Sequence, residues 1–270
     1  MKSILKKKFR GARYRFLRLF RPKRRLIKQV EYMGNVYLVL ANEDIGWRLI
    51  TNKEYEREEI IFLEKLIRED DVCLDVGGNI GIYSVIMAKK ASHGKVITFE
   101  PVPLNRNILA VNVILNGLNN VEIRENILND TIGIVEFSVC EDTAYSSIRD
   151  TKRKVESFVL KVHSTTLDEL FGRENKKVDI IKIDVEGAEL LVLKGGNKLL
   201  SNPKLRPRAL LIELSPINET IYNYHPDDVI RYMNSHGYEV YSIENSRIRK
   251  GWPSTGPPPD ALFIHREHNF

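Results

Sequence analysis

Asp75-Val76-Gly77-Gly78-Asn79-Ile80-Gly81 closes one apolar run, residues 72–76, and opens another with helical spacing, residues 80–91. A glycine-rich turn between a buried strand and a helix is the opening unit of an open α/β sheet. Outward from it the chain keeps alternating. Residues 95–99 read as strand, 104–115 as a helix stopped by Gly117, and 121–124 as strand; further on, residues 178–185 and 209–214 read as strands buried on both faces. Such alternation implies parallel strands joined by right-handed crossovers. The expected fold class is therefore α/β and Rossmann-like, a mostly parallel twisted sheet with helices on both faces.

Two stretches break the rhythm. Residues 133–140 and 156–162 suggest an inserted antiparallel pair, and residues 238–244 and 261–265 flank a Gly/Pro-rich turn that suits a C-terminal antiparallel hairpin. A helix between Pro226 and Gly237 carries good start and stop signals. Before the glycine turn, residues 55–67 read as a helix with Ile60, Leu63 and Ile67 on one face. Alternation in residues 30–51 suggests a hairpin around Asn42-Glu43-Asp44. The expected organisation is a basic arm over residues 1–29, a β-hairpin extension over 30–54 and one main domain over 55–270.

The net charge of +6 hides an asymmetry. Residues 1–28 hold thirteen Lys or Arg and no acid, which leaves 29 basic against 36 acidic residues in the rest. Leu5, Phe9, Ala12, Phe16 and Leu19 or Phe20 would form a narrow apolar stripe on a helix ended by Pro22. Such an arm suits peripheral contact with an anionic membrane, where each basic residue contributes ~1 kcal/mol; a solvated tail fits the same composition. The mildly acidic body argues against a nucleic-acid surface spread over the main domain. Apolar runs are far shorter than the ~20 residues of a membrane-spanning helix. Only two cysteines occur, Cys73 and Cys140, so a reducing, cytoplasmic setting is expected, with Cys73 a small buried hydrophobe.

The glycine turn bounds the ligand. It leaves backbone bare, and the helix start behind it offers N–H groups to an anionic end. The spacing Gly-Gly-x-x-Gly lacks the Gly-x-Gly-x-x-Gly dinucleotide fingerprint, and Ile82-Tyr83 stands where a phosphate-binding P-loop needs Lys-Ser/Thr. Asp75 would repel a pyrophosphate but suits a ligand bearing an ammonium and a sulfonium, which is S-adenosyl-L-methionine (SAM). Asp75, Gly77, Gly78, Asn79 and Gly81 are therefore candidate cofactor residues, although a tight strand-to-helix turn alone would use the same glycines. Glu100, ending the second strand, is placed to accept both ribose hydroxyl protons. Glu125 and Asn126, after the third strand, are candidates for the adenine edge, although loop Asn residues also form turns.

A second motif is Lys182-Ile183-Asp184-Val185-Glu186-Gly187-Ala188-Glu189. Strand alternation would send Lys182, Asp184 and Glu186 to one side. Unpaired buried charges are costly, so three of them read either as a structural Lys–carboxylate pair or as a site at the carboxyl ends of the strands. Glu213, in the next strand, would reach the same rim.

These segments, with Phe99-Glu100-Pro101, Asn105, Asn112 and the stretch from Ser164 to Leu170, resemble the FkbM-like methyltransferase family over residues 56–215. The sequence departs from that pattern at Gly78 and Asn126, where such proteins often carry Ala. The resemblance implies a class I methyltransferase fold, SAM bound at the strand ends, and O-methylation of a sugar, glycan or other small molecule. A hydroxyl acceptor needs a general base within hydrogen-bond reach. Asp184, which also borders the cofactor, Glu186 and Glu213 are the candidates. A divalent metal could bridge such acids, but no His or Cys cluster demands one, and none is assigned. His163, His225 and His236 read as surface or capping residues, and Ser146-Ser147 as a possible substrate contact. Two alternatives stand beside this reading: a nucleic-acid methyltransferase using the basic arm, and a non-catalytic scaffold. The first lacks an Asn/Asp-Pro-Pro-Tyr segment; the second would be expected to lose its acids.

Overall fold

The computed structural model describes residues 17, 20–173, 176–216, 219–244, 247–253 and 260–268. Apart from Phe20, the apolar stripe expected in the arm lies outside them.

The parallel centre is β3 (Val72–Val76), β4 (Lys95–Phe99), β5 (Val121–Arg124), β9 (Ile180–Ile183) and β10 (Ala209–Glu213). They stand in the order β10-β9-β3-β4-β5, so the chain reverses direction across the sheet between β3 and β9. Three antiparallel strands extend the β10 edge: β13 (Asp260–His265), β11 (Tyr238–Glu244) and β12 (Arg247–Lys250). The expected terminal hairpin is thus present, with β12 as a further strand. The insert also forms: β7 (Gly133–Cys140) pairs antiparallel with β8 (Glu156–Thr165), and β6 (Ile127–Leu128) runs parallel to β8.

Two apolar layers sandwich the sheet. Cys73, Ile180, Ala209, Leu211 and Leu262 join one, with Tyr37, Ile60, Met87 and Val113; Leu74, Ile181, Ile183, Leu210, Ile212 and Phe263 join the other, with Val192, Val229 and Met233. Cys73 is fully buried and both cysteines are free thiols.

The hairpin before the sheet differs from expectation. It is β1 (Ile27–Tyr32) and β2 (Asn35–Leu40), turning at Met33 (φ 49°) and Gly34 (φ 72°). Asp44–Asn52, which the alternation of Trp47 and Leu49 would make a second strand, is helix α1. Its buried Ile45 and Leu49 lie four apart, on one helical face. The residues expected to make the turn cap this helix instead, with Glu43 at its N-cap. The hairpin is held by side-chain amides from the helix that follows β4 (Pro103–Leu115, α4) and its C-cap. Asn112 accepts from Leu38 N–H at 2.7 Å and donates to Leu38 O at 3.1 Å; Asn116 does the same with Val36 at 3.1 and 2.7 Å. Two amides mimic a neighbouring strand.

The helices α2 (Arg57–Leu66), α3 (Ile82–Lys90), α5 (Glu189–Lys194), α6 (Asn197–Ser201), α7 (Glu219–Tyr222) and α8 (Pro226–Ser235) complete the chain. No helix among the described residues is long and apolar enough to cross a membrane.

Candidate active site

Along β3, β9, β10 and β13, period-two alternation puts Asp75, Lys182, Glu213 and Asp260 on one face, toward one end. The register makes them neighbours: Asp75 beside Lys182, and Glu213 beside Asp260. They border a cavity of about 300 Å³ at the carboxyl ends of the parallel strands, where open α/β sheets bind ligands.

The glycine turn forms one wall, and its geometry revises the reason for its glycines. Gly77 has φ +87°, and a Cβ there would lie 1.8 Å from the carbonyl oxygen of Asp184; at Gly78 it would lie 2.2 Å from Thr98 Cγ2. The bare faces admit the neighbouring strand ends rather than a ligand, although Gly77, Gly78 and Asn79 all line the cavity. Gly81 does not line it; its missing Cβ makes room for Leu109 of α4.

Glu100 is 4% exposed and held by backbone: Asn79 N–H donates to Oε2 and Val102 N–H to Oε1, both at 2.8 Å. Burial pushes its pKa up to about 7 against those bonds. Asp75, 1% exposed, accepts from Ser84 at 2.5 Å through Oδ2, while its Oδ1 has no partner. Glu125 and Asn126, the candidates for the adenine edge, are not brought to the cavity. After Arg124 the chain leaves the sheet to start β6, and Glu125 pairs with Arg106 at 3.2 Å with its carboxylate exposed. Neither residue lines the cavity; Ile127, Leu128, Val102 and Phe137 do.

The opposite wall is acidic. β9 ends at Ile183, so strand alternation does not carry on to Glu186; a turn with φ +54° at Glu186 and +108° at Gly187 brings it back. Glu189 ties that turn, accepting from Gly187 N–H at 2.9 Å and Tyr224 O–H at 2.7 Å. Oxygens of Asp184, Glu186 and Glu213 then all lie within 4.8 Å of one another. Lys182 donates to Asp184 Oδ2 at 2.6 Å beneath them, over the ring of Tyr83, and Arg153 pairs with Glu186 Oε2. Glu213 Oε2 is occluded and accepts no hydrogen bond.

The charges do not balance. Asp44, Glu56, Asp75, Glu100, Asp184, Glu186, Glu213 and Asp260 line the cavity against Arg48, Arg153 and Lys182. Burial, then the facing Asp184 and Glu186, push Glu213 well above the usual carboxylate range; burial and Asp184 push Glu186 to about 8. Burial alone would lower Lys182, but Asp184, Glu56 and Asp75 outweigh it and raise it. A wall of this sign suits a cationic ligand.

Sequence reasoning missed Glu56 and Asp260. Both sit outside any motif and reach the cavity through non-local packing. Arg153 and the cavity-lining Tyr55, Tyr83 and Tyr145 were missed as well. Ser146 lines the cavity, but Ser147 braces its rim, donating to Val185 O at 2.9 Å. His225 caps α8 and His163 is exposed.

Comparison with known proteins places this arrangement. The chain is 30% identical over 178 residues to the hexuronic acid methyltransferase AglP of Haloferax volcanii, covering 66% of this chain and 70% of that one. It is 30% identical over 152 residues to the methyltransferase sdnD of Sordaria araneosa, covering 45% of this chain but only 59% of that protein. Among solved structures it resembles a SAM-dependent methyltransferase from Agrobacterium tumefaciens, with a TM-score of 0.49, 10% identity and coverage of 90% and 71%. The profile described as "Methyltransferase FkbM domain" matches residues 75–240. That span runs from Asp75 through Glu100 and the acid rim to β11, and the chain belongs to the FkbM methyltransferase family.

Proposed function

We propose that this chain binds SAM in the cavity and methylates a hydroxyl of a sugar, glycan or other small metabolite. The observation that carries the reading is a single cavity with a backbone-fixed Glu100 on one wall and the Asp184–Glu186–Glu213 rim on the other. The residues fit the cofactor. Glu100 keeps lone pairs for a ribose diol, Asp75 Oδ1 is a buried acceptor without a donor, and the acidic wall favours a sulfonium and an ammonium. Bound SAM supplies a methyl group already activated on sulfur, whose bonding electron pair stays with the sulfur as the acceptor oxygen takes the methyl.

The chain's own residues have three tasks. Val102, Ile127, Leu128 and Phe137 give the apolar surface an adenine needs. The rim must hold the acceptor oxygen in line, which is worth several kcal/mol when orientation is enforced. One rim carboxylate, with Asp184 the first candidate and Glu186 and Glu213 behind it, takes the hydroxyl proton. The relative named for a hexuronic acid supports a sugar acceptor. The test is incubation with methyl-labelled SAM and separate panels of acidic glycans, neutral glycans, lipids and RNA. Base-stable label in a glycan or small-molecule fraction is expected; label only in RNA, or none in any fraction, would overturn the reading.

Residues 1–28 are proposed to rest on an anionic membrane. Arg21 donates to Asn42 O and Asp142, both at 2.6 Å, which fixes that residue beside the cavity-lining residues 143–146. Deleting residues 1–25 should abolish co-sedimentation with vesicles containing phosphatidylserine; unchanged partitioning removes the idea.

A further inference from the structure

We propose that Asp184, Glu186 and Glu213 form a binding site for a hard divalent cation, Mg²⁺ or Mn²⁺, beside the cofactor. The site deepens the methyl-transfer reading in its role, which would be to hold the acceptor oxygen at the rim and ease loss of its proton. Its existence stands on other ground.

Three observations support it. The ligand set is all carboxylate, with no His or Cys, which selects hard cations over zinc or copper. The three oxygens lie within 4.8 Å of one another. Two oxygens on one ion at metal–oxygen distances of ~2.1 to 2.4 Å are at most ~4.2 to 4.8 Å apart, so the three acids are grouped on the scale of one coordination sphere. Independently, Glu213 Oε2 is occluded from solvent and has no hydrogen-bond donor. A carboxylate oxygen shut off from solvent beside other carboxylates must take up a proton or meet a cation, and a cation bound to all three acids serves them together.

The nearby basic groups do not fill that need. Lys182 engages Asp184 through Oδ2, and Arg153 engages Glu186 through Oε2. Asp184 Oδ1 and Glu186 Oε1 lie outside those bonds, and Glu213 has neither partner. SAM would add one net positive charge to a wall of eight acids and three bases. An excess of carboxylates therefore remains at the rim.

The experiment uses the full chain stripped with EDTA and titrated with Mn²⁺ alone, free Mn²⁺ being read by electron paramagnetic resonance. One Mn²⁺ per chain is expected, competed by Mg²⁺. Glu213→Gln and Asp184→Asn should each weaken it at least tenfold, and Glu125→Gln, outside the rim, should not. Glu213→Asp provides a second reading if Glu213→Gln fails to fold, which circular dichroism would report. No saturable Mn²⁺ binding in the millimolar range, or equal binding by parent, Glu213→Gln and Asp184→Asn, overturns the proposal. Calorimetry with SAM in EDTA reports separately on the cofactor reading: SAM binding with no saturable Mn²⁺ binding sinks only the cation site, and Mn²⁺ binding with no SAM binding sinks only the cofactor reading.

Discussion

The same three strands, β3, β9 and β10, carry a cluster of charges at each end, and the clusters are built on opposite rules. At the amino ends, Asp71, Asp179 and Arg208 each immediately precede a strand. Arg208 donates to both oxygens of Asp71 at 3.0 and 2.5 Å, to Asp179 Oδ1 at 2.9 Å and to Leu66 O at 3.1 Å. Asp179 also accepts from Val72 N–H at 3.0 Å and pairs with Lys177 at 2.6 Å. Two acids meet two bases, and no side-chain oxygen of Asp71 or Asp179 is left buried without a partner. At the carboxyl ends, the buried Lys182 is bonded to Asp184 alone, and one buried oxygen each of Asp75 and Glu213 has no donor. A cluster that holds the fold neutralises itself; one built for ligands leaves its charge to be met from outside.

The widest gap between the two ends should appear in activity. Asp184→Asn keeps the shape of the rim and removes a proton acceptor, so turnover should fall by ~10² to 10⁴-fold. SAM affinity should change little, because Glu100 and the glycine turn are untouched. Radiometric turnover and calorimetry check the two halves; an Asp184→Asn chain with full turnover removes Asp184 from the chemistry.

At the amino end the effect should fall on stability instead. Arg208→Met strands the buried Asp71 carboxylate and leaves Asp179 with Lys177 alone, and breaking a buried pair from one side costs about 3 to 5 kcal/mol. Urea denaturation should show it as a lower midpoint. An unchanged midpoint would mean that the amino-end cluster does not hold the fold.

How much of this was legible follows from how far the chain must fold to make each contact. Asp75 to Gly81 and Glu100 were readable because the strand, turn and helix that place them are consecutive. Residues 133–140 and 156–162 were readable as a pair from their period. Asp260 was not, because only the register of β13 against β10 brings it beside Glu213. Glu56 comes from before the first sheet strand and was hidden for the same reason. Glu125 and Asn126 misled because position after a strand says nothing about where the chain goes next; the insert draws it away through β6. The hairpin was misplaced because Trp47 and Leu49 alternate as a strand would. Burial of Ile45 and Leu49 on one side of α1 decided otherwise, and Met33-Gly34 supplied the turn.

Glu100 sharpens the comparison on the cofactor side through pH. Its pKa, raised from 4.5 to about 7 chiefly by burial, means that the cofactor-free fold holds a proton there that the unfolded chain releases. That contribution to stability is fully present below pH 4.5 and is lost as pH rises through about 7. Glu43, raised to about 7 by burial, acts in the same direction. SAM binding should run the other way. A ribose diol donates to the ionised form, so affinity should tighten by up to ~10-fold per pH unit below 7 and level off above it. Glu100→Gln should cost about 1.5 to 3 kcal/mol of binding at pH 8 and flatten the profile. A pH profile equally steep in Glu100→Gln would assign the titration to another group.

The smallest effect bears most directly on the rule. If the carboxyl-end cluster is tuned for ligands at the expense of the fold, then removing one of its crowded charges should help the cofactor-free, cation-free chain. Glu213→Gln keeps the volume, loses no hydrogen bond that the structure contains and, at alkaline pH where Glu213 is ionised, relieves repulsion from Asp184 and Glu186. The expected gain is about 1 kcal/mol, the scale on which active-site residues trade stability for function. Urea midpoints measured in EDTA should therefore rise in Glu213→Gln, against the fall in Arg208→Met. With saturating Mn²⁺ the order should reverse, because binding to the folded state alone stabilises the parent and not the variant. A midpoint that drops in EDTA would mean that Glu213 holds the sheet edge together, and the two ends of the strands would then obey one rule rather than two.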